Sequence, residues 1–161
     1  MEDLRFSESI VVARSPEALY DMVSDVTRMG EWSPVTKAGR WHEGTTPRVG
    51  AWFSGYNELP DKKWEGPCEV VAADRGREFA FIVQGQMVWW SYTFTPVEGG
   101  TRVTESWEFL PNGVNWVREN HPDEFEGQVD QRARRAKEGV VATLAALKRV
   151  AESELGNTAT G

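Results

Sequence analysis

The sequence predicts an α+β domain: one antiparallel sheet of about seven strands, covered by a long C-terminal helix. Three observations carry this. Between about residues 36 and 110, stretches of alternating character are separated by turn formers: Gly44, Leu59-Pro60-Asp61, Arg75-Gly76, Gly85 and Gly99-Gly100. Beyond about residue 122, Phe125, Val129, Ala133, Ala136, Val140, Leu144 and Leu147 recur at spacings of three and four. An antiparallel sheet with one apolar face must be covered, and the terminal helix is the element available to cover it.

Each element has its own reason. Residues 4–13, LRFSESIVVA, read as a first strand. Ser15-Pro16-Glu17 opens a helix, since Ser caps, Pro fits the first turn and Glu suits the positive end. Leu19, Tyr20, Val23 and Val26 follow at helical spacing, and Gly30 and Ser33-Pro34 punctuate a second short helix carrying Met29 and Trp32. Strands are expected near 36–43, 48–58, 63–74, 77–84, 87–97 and 101–110.

The hairpins can be tested internally. A two-residue turn at Gly99-Gly100 sets Phe94 opposite Glu105, Tyr92 opposite Trp107 and Trp90 opposite Phe109, with Thr and Ser pairs on the other face. The Arg75-Gly76 turn sets Ala72 against Phe79, Val70 against Phe81 and Cys68 against Val83, unless a bulge changes the register. The last helix is expected over about 122–153, with Arg132, Arg134, Arg135, Lys137 and Glu138 mostly on its outer sides. A single domain over 1–154 and a flexible tail at 155–161 complete the plan.

Composition narrows the function. The chain has 161 residues and a net charge of -7, which argues against general nucleic-acid binding because phosphates would be repelled. One cysteine, Cys68, allows no intrachain disulfide and gives no sign of an oxidising compartment. The start MEDLRFSES shows no basic region followed by an apolar run, and no stretch approaches a membrane helix. A cytoplasmic protein of bacterial type is therefore expected. His42 and His121 are the only histidines, and no metal spacing or phosphate-binding glycine motif is present, so no metal or cofactor is expected. The basic run RARRAK at 132–137 reads as a solvated helix face. The unusual feature is 8 Trp, since large rings fill cores but also line cavities for apolar ligands.

EWSP at 31–34, VGAWFSGYN at 49–57, WEGPCEVVAADRGREFAF at 64–81 and WSYTFTPVEGGTRVTESWEF at 90–109 carry a likeness to a known group. With the element order, the chain resembles the helix-grip fold of the START/Bet v 1-like (SRPBCC) superfamily, and its bacterial polyketide cyclase/dehydrase-like branch in particular. The likeness runs from about residue 5 to 150. It implies a curved sheet wrapped around the last helix, two short helices after the first strand, and a deep cavity between sheet and helix. The segment 110–122, LPNGVNWVRENHP, is longer than a simple lead-in and is read as a lid over the cavity mouth. Fold alone does not name a ligand.

Glu105 is the sharpest site candidate. In TRVTESWEF it shares a face with Val103, Trp107 and Phe109, so it must be paired, neutralised or wetted. It reads as a general base or ligand-bonding group, or as a structural carboxylate paired with an inward Arg or a Tyr hydroxyl. Tyr92 is expected diagonal to it, donating to a ligand carbonyl or to backbone. Asn57, on a face with Phe53, either fixes a polar ligand group or closes a strand end. Trp32, Trp64, Trp90 and Trp107 are candidate walls or core, with Phe53, Phe81, Phe125 and Val129 as further lining. Trp52 and Trp89 fall on the opposite face, where a homodimer contact is one use for them.

Three functions stay open at this point. One is a binding module for a hydrophobic small molecule such as a lipid, quinone or aromatic polyketide-like compound. Another is a cyclase or dehydratase with Glu105 as base and Tyr92 and Asn57 polarising an oxygen. The third is a protein-interaction or stress-response module, which an exposed apolar patch at 86–90 (QMVWW) would favour.

Overall fold

The computed structural model describes residues 3–160, with side chains as far as Glu154. Strand β1 (Arg5–Val12) leads into helix α1 (Pro16–Ser24) and a 3-10 segment (Val26–Glu31). Strands β2 (Thr36–Trp41), β3 (Trp52–Leu59), β4 (Lys62–Asp74), β5 (Glu78–Val83), β6 (Val88–Val97) and β7 (Gly100–Phe109) follow. Helix α2 (Pro111–Asn120), a 3-10 turn (Pro122–Glu124) and helix α3 (Phe125–Thr160) close the chain. The strands form one antiparallel sheet in the order β1-β7-β6-β5-β4-β3-β2, curved around α3 in the helix-grip manner.

Local chemistry explains the entry to the helices. Ser15 accepts the Ala18 N–H at 3.1 Å and Pro16 fills the first helical position. Ser15→Ala should cost about 1 kcal/mol. For a chain of this size that lowers the melting temperature by roughly 2–4 °C, measurable by heat denaturation. The 3-10 segment packs against β2, and Gly39 permits it: a Cβ there would stand 2.3 Å from the Val26 carbonyl oxygen. The second half of α3 is tied to the edge strand and its exit. Lys148 Nζ donates to the Val11 carbonyl at 2.8 Å, and Arg14 donates to the Ala151 carbonyl at 2.9 Å.

Several expectations are corrected. The β6–β7 turn consists of Glu98 and Gly99, so Val97 faces Gly100 and the register moves by two residues. Both faces keep their residues, because the side-chain period is two. Tyr92, however, now lies directly opposite Glu105 instead of Trp107. At the β4–β5 hairpin the pairs Val70–Phe81 and Cys68–Val83 are as expected, but a bulge after Val70 sets Ala73, not Ala72, against Phe79. Strand β3 starts at Trp52, because Gly50 takes a φ of 91° in a turn that closes Ala51 N–H onto the Arg48 carbonyl at 3.1 Å.

The segment read as a lid, with no helix expected in it, forms helix α2, anchored by the fully buried Val117. Pro111 suits the first helical position, where its missing N–H costs nothing. Gly113 has a packing reason: a Cβ would meet the Phe109 ring at 2.4 Å and the Met87 carbonyl oxygen at 2.5 Å. At the other end, α3 runs on to Thr160 through the segment expected as a tail. Gly156 costs a helix about 1 kcal/mol relative to Ala but does not stop it.

Candidate functional site

Rows of side chains cross the concave face of the sheet, and one of them holds the only charged-type residue among the buried side chains described. Ala73, Phe79, Tyr92 and Glu105 lie side by side on β4, β5, β6 and β7, and Glu8 of β1 faces Glu105. Glu105 is 3% exposed and Tyr92 is buried beside it. Tyr92 donates its hydroxyl proton to Glu105 Oε2 at 2.8 Å, while Oε1 has no hydrogen-bond partner. Glu8 is exposed and turns its carboxylate back to the Ser9 N–H at 3.0 Å.

Burial dominates the electrostatics. Desolvation pushes the Glu105 carboxyl up to about 8, against the smaller opposing effect of the Tyr92 hydrogen bond. Burial first, and then the neighbouring acid, push the Tyr92 hydroxyl well above its usual value. Near neutral pH both groups therefore carry their protons.

The pair sits among apolar side chains that pack as two groups joined through Phe6 and Trp90. Val103, Tyr92, Phe79, Phe94 and the Val140–Leu144–Leu147 stretch of α3 belong to one cluster. Trp107, Phe109, Val117, Val129 and Ala133 belong to a second. Val103 and Trp107 flank Glu105 on the same face, one from each cluster, and the half-buried Phe6 and Trp90 pack against both. Trp107 and Phe109 stack with ring centroids 6.4 Å apart.

The other sequence-derived candidates lie on several elements: strands β3 to β6, the end of the 3-10 segment and α3. Phe53 and Phe81 meet edge to face at 5.1 Å. Trp90 lies opposite both Phe81 and Trp107, one row from the Tyr92–Glu105 pair. Val129 is buried in α3, while Phe125 is half-buried under the Arg118 guanidinium at 4.6 Å. Trp32 is buried beneath Arg28 at 5.4 Å. Trp64 is 39% exposed, with the Lys62 ammonium 4.9 Å from its ring.

Asn57 does not join Tyr92 and Glu105. It lies three strands away, on the order of 14 Å across the sheet, and on the order of 25 Å further along the strand direction. Its amide oxygen accepts from Thr36 Oγ1 at 2.7 Å, over the bare backbone of Gly55 and Gly66. The three-group convergence required for a shared oxygen site is absent. Sequence reasoning missed Phe79, which faces Tyr92, and Phe6, which faces Trp107; their alternating strand positions held the signal.

Two clefts open elsewhere. One of about 610 Å³ lies between α1, the 3-10 segment after it and the β2–β3 connection, lined by Tyr20, Asp21, Trp41, Thr45 and Arg75 among others. The other, about 310 Å³, is lined by His42, Glu43, Arg48, Gly50, Ala51 and Trp52. Neither is lined by Glu105, Tyr92 or α3. Met87, Val88, Trp89 and Trp90 are all half-buried, so the 86–90 run does not form a fully exposed apolar patch. The Cys68 thiol is buried and pushed up to about 12, which makes it a poor nucleophile. Among the described residues no group of three or more His, Cys, Asp and Glu is placed to hold a metal, and no helix is long and apolar enough to cross a membrane.

Comparison with known proteins places this arrangement. The family model described as polyketide cyclase/dehydrase and lipid transport matches residues 3–152. The chain is similar to the Polyketide_cyc-like protein Cgl2372 from Corynebacterium glutamicum, at 40% identity over 96% of this chain and 94% of that one, with a TM-score of 0.73. At 15% identity it shares its fold with StfQ, a di-domain ARO/CYC from the steffimycin biosynthetic pathway, covering 95% of this chain and 52% of that one at a TM-score of 0.69. Ara h 8.0201 matches at 16% identity over 92% of this chain and 97% of that one, with a TM-score of 0.59. No match was found among curated proteins. The chain belongs to the polyketide cyclase/dehydrase and lipid transport family of the SRPBCC superfamily.

Proposed function

We propose that the protein is a bacterial, cytoplasmic binding module that holds a hydrophobic small molecule between the concave face of the sheet and α3. The class is a lipid, quinone or aromatic polyketide-like compound. The observation that carries this reading is the buried carboxyl of Glu105, whose Oε1 has no partner and which lies between Val103 and Trp107 on the inner face of the sheet. Unsatisfied buried polar atoms are rare and call for an explanation, and a ligand oxygen supplies one. The family description, which includes lipid transport, supports the same reading.

A ligand here displaces Trp90 and Trp107 contacts and stabilises the fold by mass action. Titration with a panel of lipophilic compounds should quench tryptophan fluorescence saturably and raise the melting temperature. Native mass spectrometry of the purified protein should show a co-purifying small molecule. Absence of all three signals overturns the reading.

The catalytic alternative keeps one support, a Glu105 carboxyl pushed up to about 8 by burial, which is strongly basic once ionised. It has lost Asn57 as a partner. If Glu105 acts as the base, Glu105→Gln abolishes turnover of a polyketide-like substrate; unchanged turnover excludes that role.

A further inference from the structure

We infer that the ligand presents a neutral acceptor oxygen, the carbonyl of a ketone, quinone or ester, to the Tyr92–Glu105 pair. This deepens the binding reading above and rests on it.

The argument is a count of protons. The neutral pair has two O–H protons, one on the carboxyl and one on the phenol. The structure gives the pair one internal hydrogen bond, Tyr92 to Glu105 Oε2 at 2.8 Å. Oε1 has no partner in the protein. Whichever oxygen carries the carboxyl proton, one donor is left over, and it is enclosed where water does not reach it. Tyr92 is therefore not a free donor toward a ligand: its proton is committed to Glu105, and the carboxyl supplies the donor that the ligand meets.

The surroundings decide which ligand group fits. The flanking side chains on the same face are Val103 and Trp107, and Phe79 and Trp90 lie in the adjoining positions. No basic side chain contributes to the environment of Glu105, which is shaped by burial and Tyr92. A ligand carboxylate or phosphate would be left without a counter-charge in an apolar site. A hydrocarbon would leave the spare donor unsatisfied. A carbonyl oxygen accepts it and adds no charge.

The test uses pairs that differ by carbonyl groups in an otherwise similar ring system: 9-fluorenone against fluorene, and anthraquinone against anthracene. Binding to the full chain is measured by calorimetry, and the bound carbonyl stretch by difference infrared spectroscopy. The wild type should prefer each carbonyl compound by about tenfold, the worth of one hydrogen bond. Its carbonyl stretch should fall in frequency on binding. Glu105→Leu should bind both members of a pair equally and show no shift. Glu105→Gln, which keeps an N–H donor, should retain much of the preference. Near-ultraviolet circular dichroism confirms that each variant is folded, and Glu105→Gln alone decides the matter if the leucine variant is not. Binding of both members without preference in the wild type overturns the carbonyl assignment and leaves the binding module standing. Failure of all four compounds to bind the wild type overturns the carbonyl assignment; the binding module falls with it only when the lipophilic panel and native mass spectrometry are silent as well.

Discussion

Glu105→Gln should melt at a higher temperature than the wild type at pH 8 and at about the same temperature near pH 4.5. The sign follows from linkage. In the fold the Glu105 carboxyl is raised from 4.5 to about 8, mainly by burial. Between those two pH values the folded chain keeps a proton that the unfolded chain releases. Stability is therefore fully present below about pH 4.5 and is lost as pH rises toward 8. The loss approaches 1.4 kcal/mol per pH unit within the window, or several kcal/mol across it.

Glutamine is uncharged in both states and keeps an oxygen for the Tyr92 hydroxyl, so it removes this slope. At roughly 2–4 °C per kcal/mol for a chain of this size, the gap at pH 8 is on the order of 10 °C. The groups that face Glu105 do not reverse the sign, since Glu8 across the strand pair is exposed and Tyr92 keeps its proton. Heat or urea unfolding at a series of pH values checks this. Parallel pH profiles for the two proteins would show that Glu105 is ionised in the fold.

The adjacent glycines of the β6–β7 hairpin should respond to substitution very differently. Gly99 has a φ of 86° and open space around it, so Gly99→Ala should cost about 1–2 kcal/mol from backbone strain alone. Gly100 has a φ of 147°, and a Cβ there would stand 2.0 Å from the Val12 carbonyl oxygen. That neighbour is backbone of β1 and cannot rotate away. Gly100→Ala should therefore cost about 3 kcal/mol or more, by strain together with overpacking. Urea denaturation of the two single variants separates them; equal losses would mean that β1 yields freely at this point.

The same hairpin shows how far the sequence can be read. Alternation along TFTPV and TRVTESWEF assigns every side chain to a face, because the strand period is two and one face must be dry. It does not choose between turns that differ by two residues, since both leave the faces intact. That choice decided whether Glu105 meets Phe94 or Tyr92, and hence whether the acid has a donor. The helix α2 was lost for a related reason: PNG is turn chemistry locally, and the helix is held by Val117 and by Gly113 closing onto Phe109, which no local pattern reveals.

By itself the sequence determined the sheet-and-helix plan, the inward aromatic faces, the capped start at Ser15 and the placement of an acid among apolar neighbours. These follow from periodicity and from the obligation to bury one face. Only the tertiary structure decided that Asn57 lies far from that acid, and that Tyr92 bonds one carboxyl oxygen and leaves the other bare. Those facts depend on register, bulges and strand order, which are set by contacts between residues remote in the chain and leave no mark on the local pattern.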